Sequence, residues 1–94
     1  MRFSVIVATY NSAPTLRFLL DSLNEQDFAD FETIVVDDAS TDETAELVAG
    51  YPVRYLRMPA NSGPAAARNF GASNSSGRWL VFTDADTEFK PETL

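Results

Sequence analysis

The sequence contains no cysteine and no histidine. Without cysteine, the chain has no disulfide framework and no thiolate ligand for a metal. Without histidine, it has no Ser-His-Asp triad, no Cys-His pair and no imidazole zinc site. Any metal ion must therefore be held by oxygen atoms, which are the ligands that Mg²⁺ and Mn²⁺ prefer.

Basic residues are also scarce. Seven lysines and arginines stand against fourteen aspartates and glutamates, so the formal net charge is −7. A nucleic-acid binder needs a cationic surface to neutralise phosphates, and we therefore expect no nucleic-acid partner. A nucleotide ligand stays compatible with this charge, because a bound metal ion can carry the opposing charge.

Long apolar runs are absent as well. The longest one near the start covers residues 5–8, which is too short for a membrane span or the core of a signal peptide. We therefore expect a cytoplasmic protein, with membrane association possible only through further segments of a longer protein.

Strand-like and helix-like segments alternate four times along the 94 residues. Residues 3–9, 32–38 and 78–83 are mostly apolar and predict buried strands, whereas the alternating residues 53–57 predict an edge strand. This order predicts an α/β fold: a three-layer, Rossmann-like arrangement with a mostly parallel four-stranded sheet and helices on both faces. We expect Trp79 in its core.

Three helices are predicted between the strands. The first follows a cap at Asn11 or Ser12 and carries a leucine stripe that should face the core. The second should begin at a cap on Ser40 or Thr41 and end at Gly50. The third covers residues 65–72, where three alanines would allow close packing on the sheet. Residues 91–94 resemble the first turn of another helix, so we expect residues 1–94 to be one part of a longer domain.

Acidic side chains collect where strands end. Because parallel strands end at the same edge of a sheet, these side chains should share one crevice, the place where open α/β sheets bind ligands. Their carboxylates would repel one another without a cation or a hydrogen-bonded ligand. The pattern predicts a metal–nucleotide site formed by Asp37, Asp38, Asp84 and Asp86.

The triplet Asp84-Ala85-Asp86 is a weak signal alone and a stronger one at the end of an apolar strand. If the segment stays extended, both carboxylates point the same way, so that one can reach a metal ion and the other a ribose hydroxyl. Mg²⁺ typically takes one or two protein carboxylates and completes its shell with water and substrate phosphates.

Other polar residues at the strand ends each allow two interpretations. Asp37 or Asp38 can cap the second helix, as Asp42 or Ser40 also can, and the other aspartate of that pair can accept an N–H of a nucleobase. Tyr10 can stack on that base or pack over the edge of the sheet, and Thr9 is expected to position the backbone.

The turn before the third helix is equally ambiguous. Asn61 and Gly63 either bind a ligand or make an ordinary turn. The helix start should attract anions, and Arg68, one turn later, can reach a diphosphate or pair with an aspartate.

Taken together, these segments resemble the N-terminal part of family 2 glycosyltransferases, a large inverting group with the GT-A fold. The resemblance covers almost the whole chain, and the motifs are specific in combination rather than singly. They occur in the family's order, as Ser4-Val5-Ile6-Val7-Ala8-Thr9-Tyr10-Asn11, Ile34-Val35-Val36-Asp37-Asp38-Ala39-Ser40-Thr41-Asp42, Asn61-Ser62-Gly63 with Ala67-Arg68-Asn69, and Gly77-Arg78-Trp79-Leu80-Val81-Phe82-Thr83-Asp84-Ala85-Asp86.

The resemblance implies an enzyme that transfers a sugar from a nucleoside-diphosphate sugar to a saccharide, lipid or protein acceptor, with Mn²⁺ or Mg²⁺ as cofactor. It implies that Asp86, together with Asp84, holds the metal ion, and that Asp84 faces the ribose. The residues that it implies for binding the nucleotide sugar are Thr9, Tyr10, Asn11, Asp38, Asn61, Gly63, Arg68, Asp84 and Asp86.

One departure from the family pattern concerns the general base. Family members carry the base and the acceptor site in a second half, and no residue of this chain matches that base. We therefore expect residues 1–94 to hold the donor without transferring sugar.

Two alternatives remain open at this point: a nucleotidyltransferase-like domain and a non-catalytic nucleotide-binding α/β module. The loop at residues 10–14 has no glycine or lysine, which counts against a triphosphate site. The exposed edge of such a sheet also predicts self-association.

Overall fold

The computed structural model describes residues 2–26 and 30–85 of the chain. Strands and helices alternate throughout these residues, as the sequence predicts. In chain order, the elements are β1 (Phe3–Thr9), α1 (Ala13–Asn24), β2 (Phe31–Asp37), α2 (Thr44–Val48), β3 (Arg54–Arg57), α3 (Pro64–Ser73) and β4 (Trp79–Asp84).

The four strands form one parallel sheet in the order β3-β2-β1-β4. β1 and β2 are the inner strands, and their apolar residues are buried from both sides. In the register of the sheet, Thr9 is opposite Asp37 on β2, and Ala8 is opposite Asp84 on β4. The acidic ends of β2 and β4 therefore lie on either side of the end of β1, at one edge of the sheet.

Alternate residues of the strands pack against helices on opposite faces of the sheet. On one face, Val5, Val7 and Val35 form a core with the leucines of α1 and with Val48 of α2. The leucine stripe is buried as predicted, and its members are Leu16, Leu19, Leu20 and Leu23. This packing confirms one outer layer of the predicted three-layer fold.

The other face of the sheet packs against α3. Ile6, Ile34 and Val36 contact Ala67, which is fully buried. The closest approach is at Gly71, where an added Cβ would lie 2.5 Å from the Ile6 side chain. Of the three alanines predicted to allow close packing, Ala67 contacts the sheet, and Gly71 adds a second point of close packing.

A polar cluster lies at the other end of the sheet, where the strands begin. It links β1 and β2 to the segment before β4. Glu32 accepts hydrogen bonds from the Ser4 hydroxyl and from the N–H of Ser76, both at 2.6 Å. The Gly77 N–H in turn donates to the Ser4 hydroxyl at 2.7 Å. Burial raises the pKa of Glu32, but these hydrogen bonds and the nearby Arg54 charge outweigh it, so its pKa lies below the ordinary 4.5. The cluster fixes where β4 begins.

Trp79 is not in the core, contrary to the prediction. β4 is an edge strand, and 60% of the surface of Trp79 is exposed. Leu80 and Phe82, on the other face of the same strand, are also exposed. β3 forms the opposite edge, as predicted from its alternating pattern.

The predicted helix caps are only partly correct. Ser12 stands at the N-cap of α1, but its hydroxyl donates to the carbonyl of Tyr10 and caps nothing. α2 starts at Thr44, later than a cap on Ser40 or Thr41 would place it, because those residues bond to the neighbouring loop instead.

The predicted helix turn at residues 91–94 lies outside the described residues. Within the described ranges, no helix is both long and apolar enough to cross a bilayer.

Candidate functional site

A cavity of about 520 Å³ opens at the edge of the sheet where β1, β2 and β4 end. It lies between the loop that follows β1 and the start of α3, so both faces of the sheet contribute to its walls. Its lining residues are Ala8, Thr9, Tyr10, Ser12, Thr15, Asp38, Pro64, Ala67, Asp84 and Ala85. Four predicted site residues, Thr9, Tyr10, Asp38 and Asp84, therefore share one cavity.

Thr9 contributes a hydroxyl that has no hydrogen-bond partner. The residue is 4% exposed, and its Oγ1 is the buried side-chain atom without a partner in the described part of the chain. The Thr9 carbonyl accepts the N–H of Asp38 at 2.9 Å, so the residue also positions the backbone, as predicted. A buried hydroxyl costs free energy unless it is paired, which makes Thr9 a candidate for contact with a ligand.

Tyr10 and Asn11 follow Thr9 in the loop between β1 and α1. Tyr10 lines the cavity and is 49% exposed, so a face of its ring is accessible for stacking. Asn11 has a left-handed backbone, with φ of 48°. Its side-chain oxygen accepts the N–H of Thr41 at 2.8 Å and that of Asp42 at 3.3 Å. Asn11 thus ties this loop to the loop after β2.

Asp38, the first residue after β2, holds the turn before α3. Its Oδ1 accepts the N–H of Ser62 at 2.8 Å, and its Oδ2 accepts the N–H of Gly63 at 2.9 Å. Asn61 donates its side-chain amide to the Asp38 carbonyl at 3.3 Å, and Gly63 has φ of 93°, which glycine adopts without strain. Two N–H groups of the turn that leads into α3 are therefore bonded to Asp38 and are not open to a ligand.

Asp37 is absent from the cavity lining, although it was predicted to share the crevice. It is fully buried, and its carboxylate accepts hydrogen bonds from the Ser40 N–H, the Tyr55 hydroxyl and Arg57. Arg57 lies 3.1 Å from Asp37 and balances its charge. Burial and the hydrogen bond to Asp37 raise the pKa of Tyr55. Asp37 therefore fixes the loop that carries Asp38.

Arg68 of α3 is not among the residues that line the cavity, but it pairs with Asp84, which is. Its guanidinium lies 3.2 Å from Asp84 Oδ1, and both side chains are partly exposed. Of the two roles predicted for Arg68, pairing with an aspartate is the one present here. The pair places a cation beside an exposed carboxylate, which suits a ligand carrying both phosphates and a metal ion.

Asp84 supplies an exposed carboxylate at this edge of the sheet. The Asp84 side chain is 70% exposed and presents carboxylate oxygen, a donor that suits Mg²⁺ or Mn²⁺. No group of three or more metal-binding side chains occurs in residues 2–26 and 30–85. β4 ends at Asp84 and Ala85 lies in a turn, so the extended geometry predicted for the triplet stops there. Asp86 lies outside the described residues.

Asp42 is a loop residue that the sequence offered only as a possible cap for the second helix. It accepts the N–H of Ala13 at 3.2 Å and the N–H of Thr44 at 3.0 Å, so one carboxylate serves the first turns of α1 and α2. Burial raises the pKa of Asp42, but the hydrogen bonds from Thr44 and Ala13 outweigh it and the pKa is lowered. The only signal in the sequence was its position before a helical segment.

Comparison with known proteins decides the family. The model of the family described as Glycosyl transferase family 2 matches residues 4–94, which is nearly the whole chain. The chain belongs to glycosyl transferase family 2. This result confirms the resemblance inferred from the strand-end motifs.

Curated relatives in this family are longer. Poly(ribitol-phosphate) beta-N-acetylglucosaminyltransferase TarS of Staphylococcus aureus is 42% identical over 101 residues, which cover all of this chain and 18% of that protein. Succinoglycan biosynthesis protein ExoO of Rhizobium meliloti is 40% identical over 92 residues, covering 95% of this chain and 26% of the relative. The chain thus spans less than a third of either protein.

Solved structures confirm the α/β fold of GT-A glycosyltransferases. S. aureus TarS 1–349 in complex with UDP superimposes with a TM-score of 0.94 at 40% identity, covering 99% of this chain and 30% of that one. The mannosyltransferase PcManGT from Pyrobaculum calidifontis, in complex with GDP-Man and Mn²⁺, gives a TM-score of 0.88 at 35% identity. It covers 94% of this chain and 28% of the mannosyltransferase.

Proposed function

We propose that this chain is the donor-binding part of an inverting glycosyltransferase, which binds a nucleoside-diphosphate sugar with the help of a divalent metal ion. The observation that carries the proposal is the cavity at the ends of β1, β2 and β4. It combines the unpartnered Thr9 hydroxyl, the exposed ring of Tyr10 and the carboxylates of Asp38 and Asp84.

The base and ribose would occupy the inner part of this cavity. Tyr10 would stack on the base, and the Thr9 hydroxyl would gain the hydrogen bond that it lacks. Each oxygen of Asp38 accepts one backbone N–H and keeps a further lone pair, so the carboxylate can accept an N–H of uracil or guanine. Asp84 would accept a ribose hydroxyl.

The diphosphate would lie at the mouth, near the Arg68–Asp84 pair. Arg68 has donors for phosphate oxygens, and its charge offsets part of theirs. Asp84, with Asp86, would hold Mn²⁺ or Mg²⁺, an ion that neutralises charge on the departing nucleoside diphosphate. Asn61 and Gly63 would act by shaping the turn on which Asp38 is held.

Structural relatives support a nucleotide-sugar donor. TarS has been solved with UDP and with UDP-GlcNAc, and PcManGT with GDP-Man and Mn²⁺. These ligands share a nucleoside diphosphate and differ in base and sugar, so we propose the shared part as the ligand class.

Calorimetric titration tests this function. UDP and GDP should bind with measurable affinity, and Mn²⁺ or Mg²⁺ should strengthen the binding of at least one of them. UTP serves as the control, because tighter binding of the triphosphate would favour a nucleotidyltransferase instead. If none of these nucleotides binds with or without metal, the proposal is wrong.

We further propose that residues 1–94 bind the donor without transferring its sugar, because none of their carboxylates can be assigned as the general base. An assay with UDP- and GDP-sugars, Mn²⁺ and varied saccharide, lipid or protein acceptors should give no product above a no-protein control. Accumulation of a glycosylated product would overturn this part of the proposal.

Self-association through β4 stays a prediction for the chain in solution. β4 is an edge strand with Trp79, Leu80 and Phe82 exposed, whereas the other edge, β3, begins and ends in arginine. Sedimentation at high concentration should show a dimer, and Phe82→Lys should reduce it. A monomer at every concentration would refute this prediction.

Cytoplasmic residence also stays a prediction, to be tested by cell fractionation.

A further inference from the structure

We infer that Asn11 is a positioning residue, a latch between two loops of the donor site, and that it does not contact the donor. The inference rests on the proposed function, because the two loops carry Tyr10 and Asp38. It changes the role that the sequence resemblance implies for Asn11, which was direct binding of the nucleotide sugar.

The latch consists of hydrogen bonds in both directions between the loops. The Asn11 side-chain oxygen accepts the N–H groups of Thr41 and Asp42, at 2.8 and 3.3 Å. The Asn11 N–H donates to the Ser40 hydroxyl at 2.9 Å. Because backbone N–H groups only donate, they fix the amide of Asn11 with its oxygen toward the loop after β2.

The position of Asn11 agrees with this role. Tyr10 and Ser12, its neighbours in the chain, line the cavity, whereas Asn11 is absent from the lining. Its backbone φ of 48° is a conformation that asparagine, aspartate and glycine tolerate better than other residues. In this conformation the Asn11 side chain contacts residues 41 and 42, while Tyr10 and Ser12 on either side of it line the cavity.

The hydrogen bonds of Asn11 hold together the two loops that carry residues of the proposed donor site. The loop after β1 presents Tyr10, and the loop after β2 presents Asp38. Asp42 adds a further link, since its carboxylate accepts the N–H of Ala13 at the start of α1. Without the Asn11 oxygen, the distance between the ring of Tyr10 and the carboxylate of Asp38 would be less well fixed, and a bound base would have to restore it.

Three substitutions separate a latch from a ligand contact. Asn11→Asp keeps an acceptor for Thr41 and Asp42 and tolerates the same φ, but brings a negative charge. Asn11→Gly keeps the backbone and removes the acceptor, and Asn11→Ala removes the acceptor and adds backbone strain. Asn24→Ala, at the far end of α1, is the matched control on an exposed asparagine.

The first measurement uses no nucleotide. Amide hydrogen exchange by NMR should show Thr41 and Asp42 exchanging roughly three- to tenfold faster in Asn11→Gly and Asn11→Ala. Exchange in Asn11→Asp and Asn24→Ala should stay near that of the wild-type chain. Unchanged exchange in the glycine and alanine variants would overturn the latch.

The second measurement is binding of UDP and of uridine. A latch predicts that Asn11→Gly and Asn11→Ala weaken both ligands by a similar factor, roughly tenfold, while Asn11→Asp stays within about twofold of wild type. A direct contact with the diphosphate predicts the reverse order, because the new charge of Asn11→Asp would repel phosphate and weaken UDP most. That second pattern would overturn the inference.

The two measurements keep the inference separate from the proposed function. Should the wild-type chain bind neither UDP nor GDP, the proposed function fails, and the exchange rates alone decide whether the latch exists. Should the wild-type chain bind UDP while Asn11→Gly binds it equally well, the proposed function stands and Asn11 has no positioning role.

Discussion

The carboxylate of Asp38 and the backbone N–H of Gly63 are joined by a hydrogen bond of 2.9 Å, which fastens the end of β2 to the start of α3. The second oxygen of Asp38 holds the N–H of Ser62 in the same way. A residue implied in binding the base is thus also part of the frame that shapes the cavity, and loss of its carboxylate should affect stability as well as affinity.

Asp38→Ala should lower the free energy of unfolding by about 2 kcal/mol or more, since it removes a charged acceptor from two N–H groups beside a largely buried site. Asp38→Asn keeps one acceptor oxygen and should lose less. Urea denaturation checks both values. An alanine variant as stable as the wild-type chain would show that these hydrogen bonds contribute nothing to the frame.

Arg68→Ala should weaken UDP binding roughly tenfold with little change in stability. The Arg68–Asp84 pair is exposed, and exposed pairs contribute about 1 kcal/mol or less, whereas the cation is worth more beside a diphosphate. Arg54→Ala is the matched control, because Arg54 pairs with Glu32 at the opposite end of the sheet, where the strands begin. Equal UDP affinities for the two variants would argue against a diphosphate at the mouth of the cavity.

Gly71→Ala should destabilise the fold by about 1–3 kcal/mol, because its Cβ would lie 2.5 Å from Ile6 and 2.9 Å from Val36, in a packed interior. Gly50→Ala is the control, since the nearest atom to its Cβ is 3.6 Å away. Thermal unfolding of the two variants should separate them clearly. Similar melting temperatures would mean that α3 can move away from the sheet at little cost.

Stability should fall in acid partly through Glu32. Its pKa is lowered in the folded chain, so its contribution is present above the unfolded value, about 4.5, and is lost as the pH falls through the lower folded value. The stability difference between wild type and Glu32→Gln should be largest near neutral pH and shrink below about pH 4.5. Denaturation at several pH values measures it, with Glu46→Gln, exposed on α2, as control. A difference that does not depend on pH would contradict this role.

The fold was predictable because its signals are local. Apolar runs such as residues 32–38 predict buried strands by their composition, and their alternation with helical patterns predicts a parallel sheet. Trp79 was misplaced because its apolar neighbours do not reveal whether a strand lies inside a sheet or at its edge. That distinction depends on strand order, a long-range property.

The sequence predicts where the site lies better than it predicts the contacts that its residues make. Strand ends brought Asp38 and Asp84 to one cavity, since both follow from sheet direction alone. The burial of Asp37 under Arg57 and the bond from Asp38 to Gly63 depend on how distant loops meet, and nothing near those residues in the sequence encodes it.

NMR spectra recorded during titration with UDP and Mg²⁺ test the central claim most directly. The amide signals of Thr9, Tyr10, Asp38 and Asp84 should shift together and saturate with one affinity, because these residues share the cavity. Signals at the opposite edge of the sheet, where the strands begin, should stay in place. Those of Leu23 and Val53 are examples. Shifts confined to that opposite edge, or none at all at saturating UDP, would contradict the account.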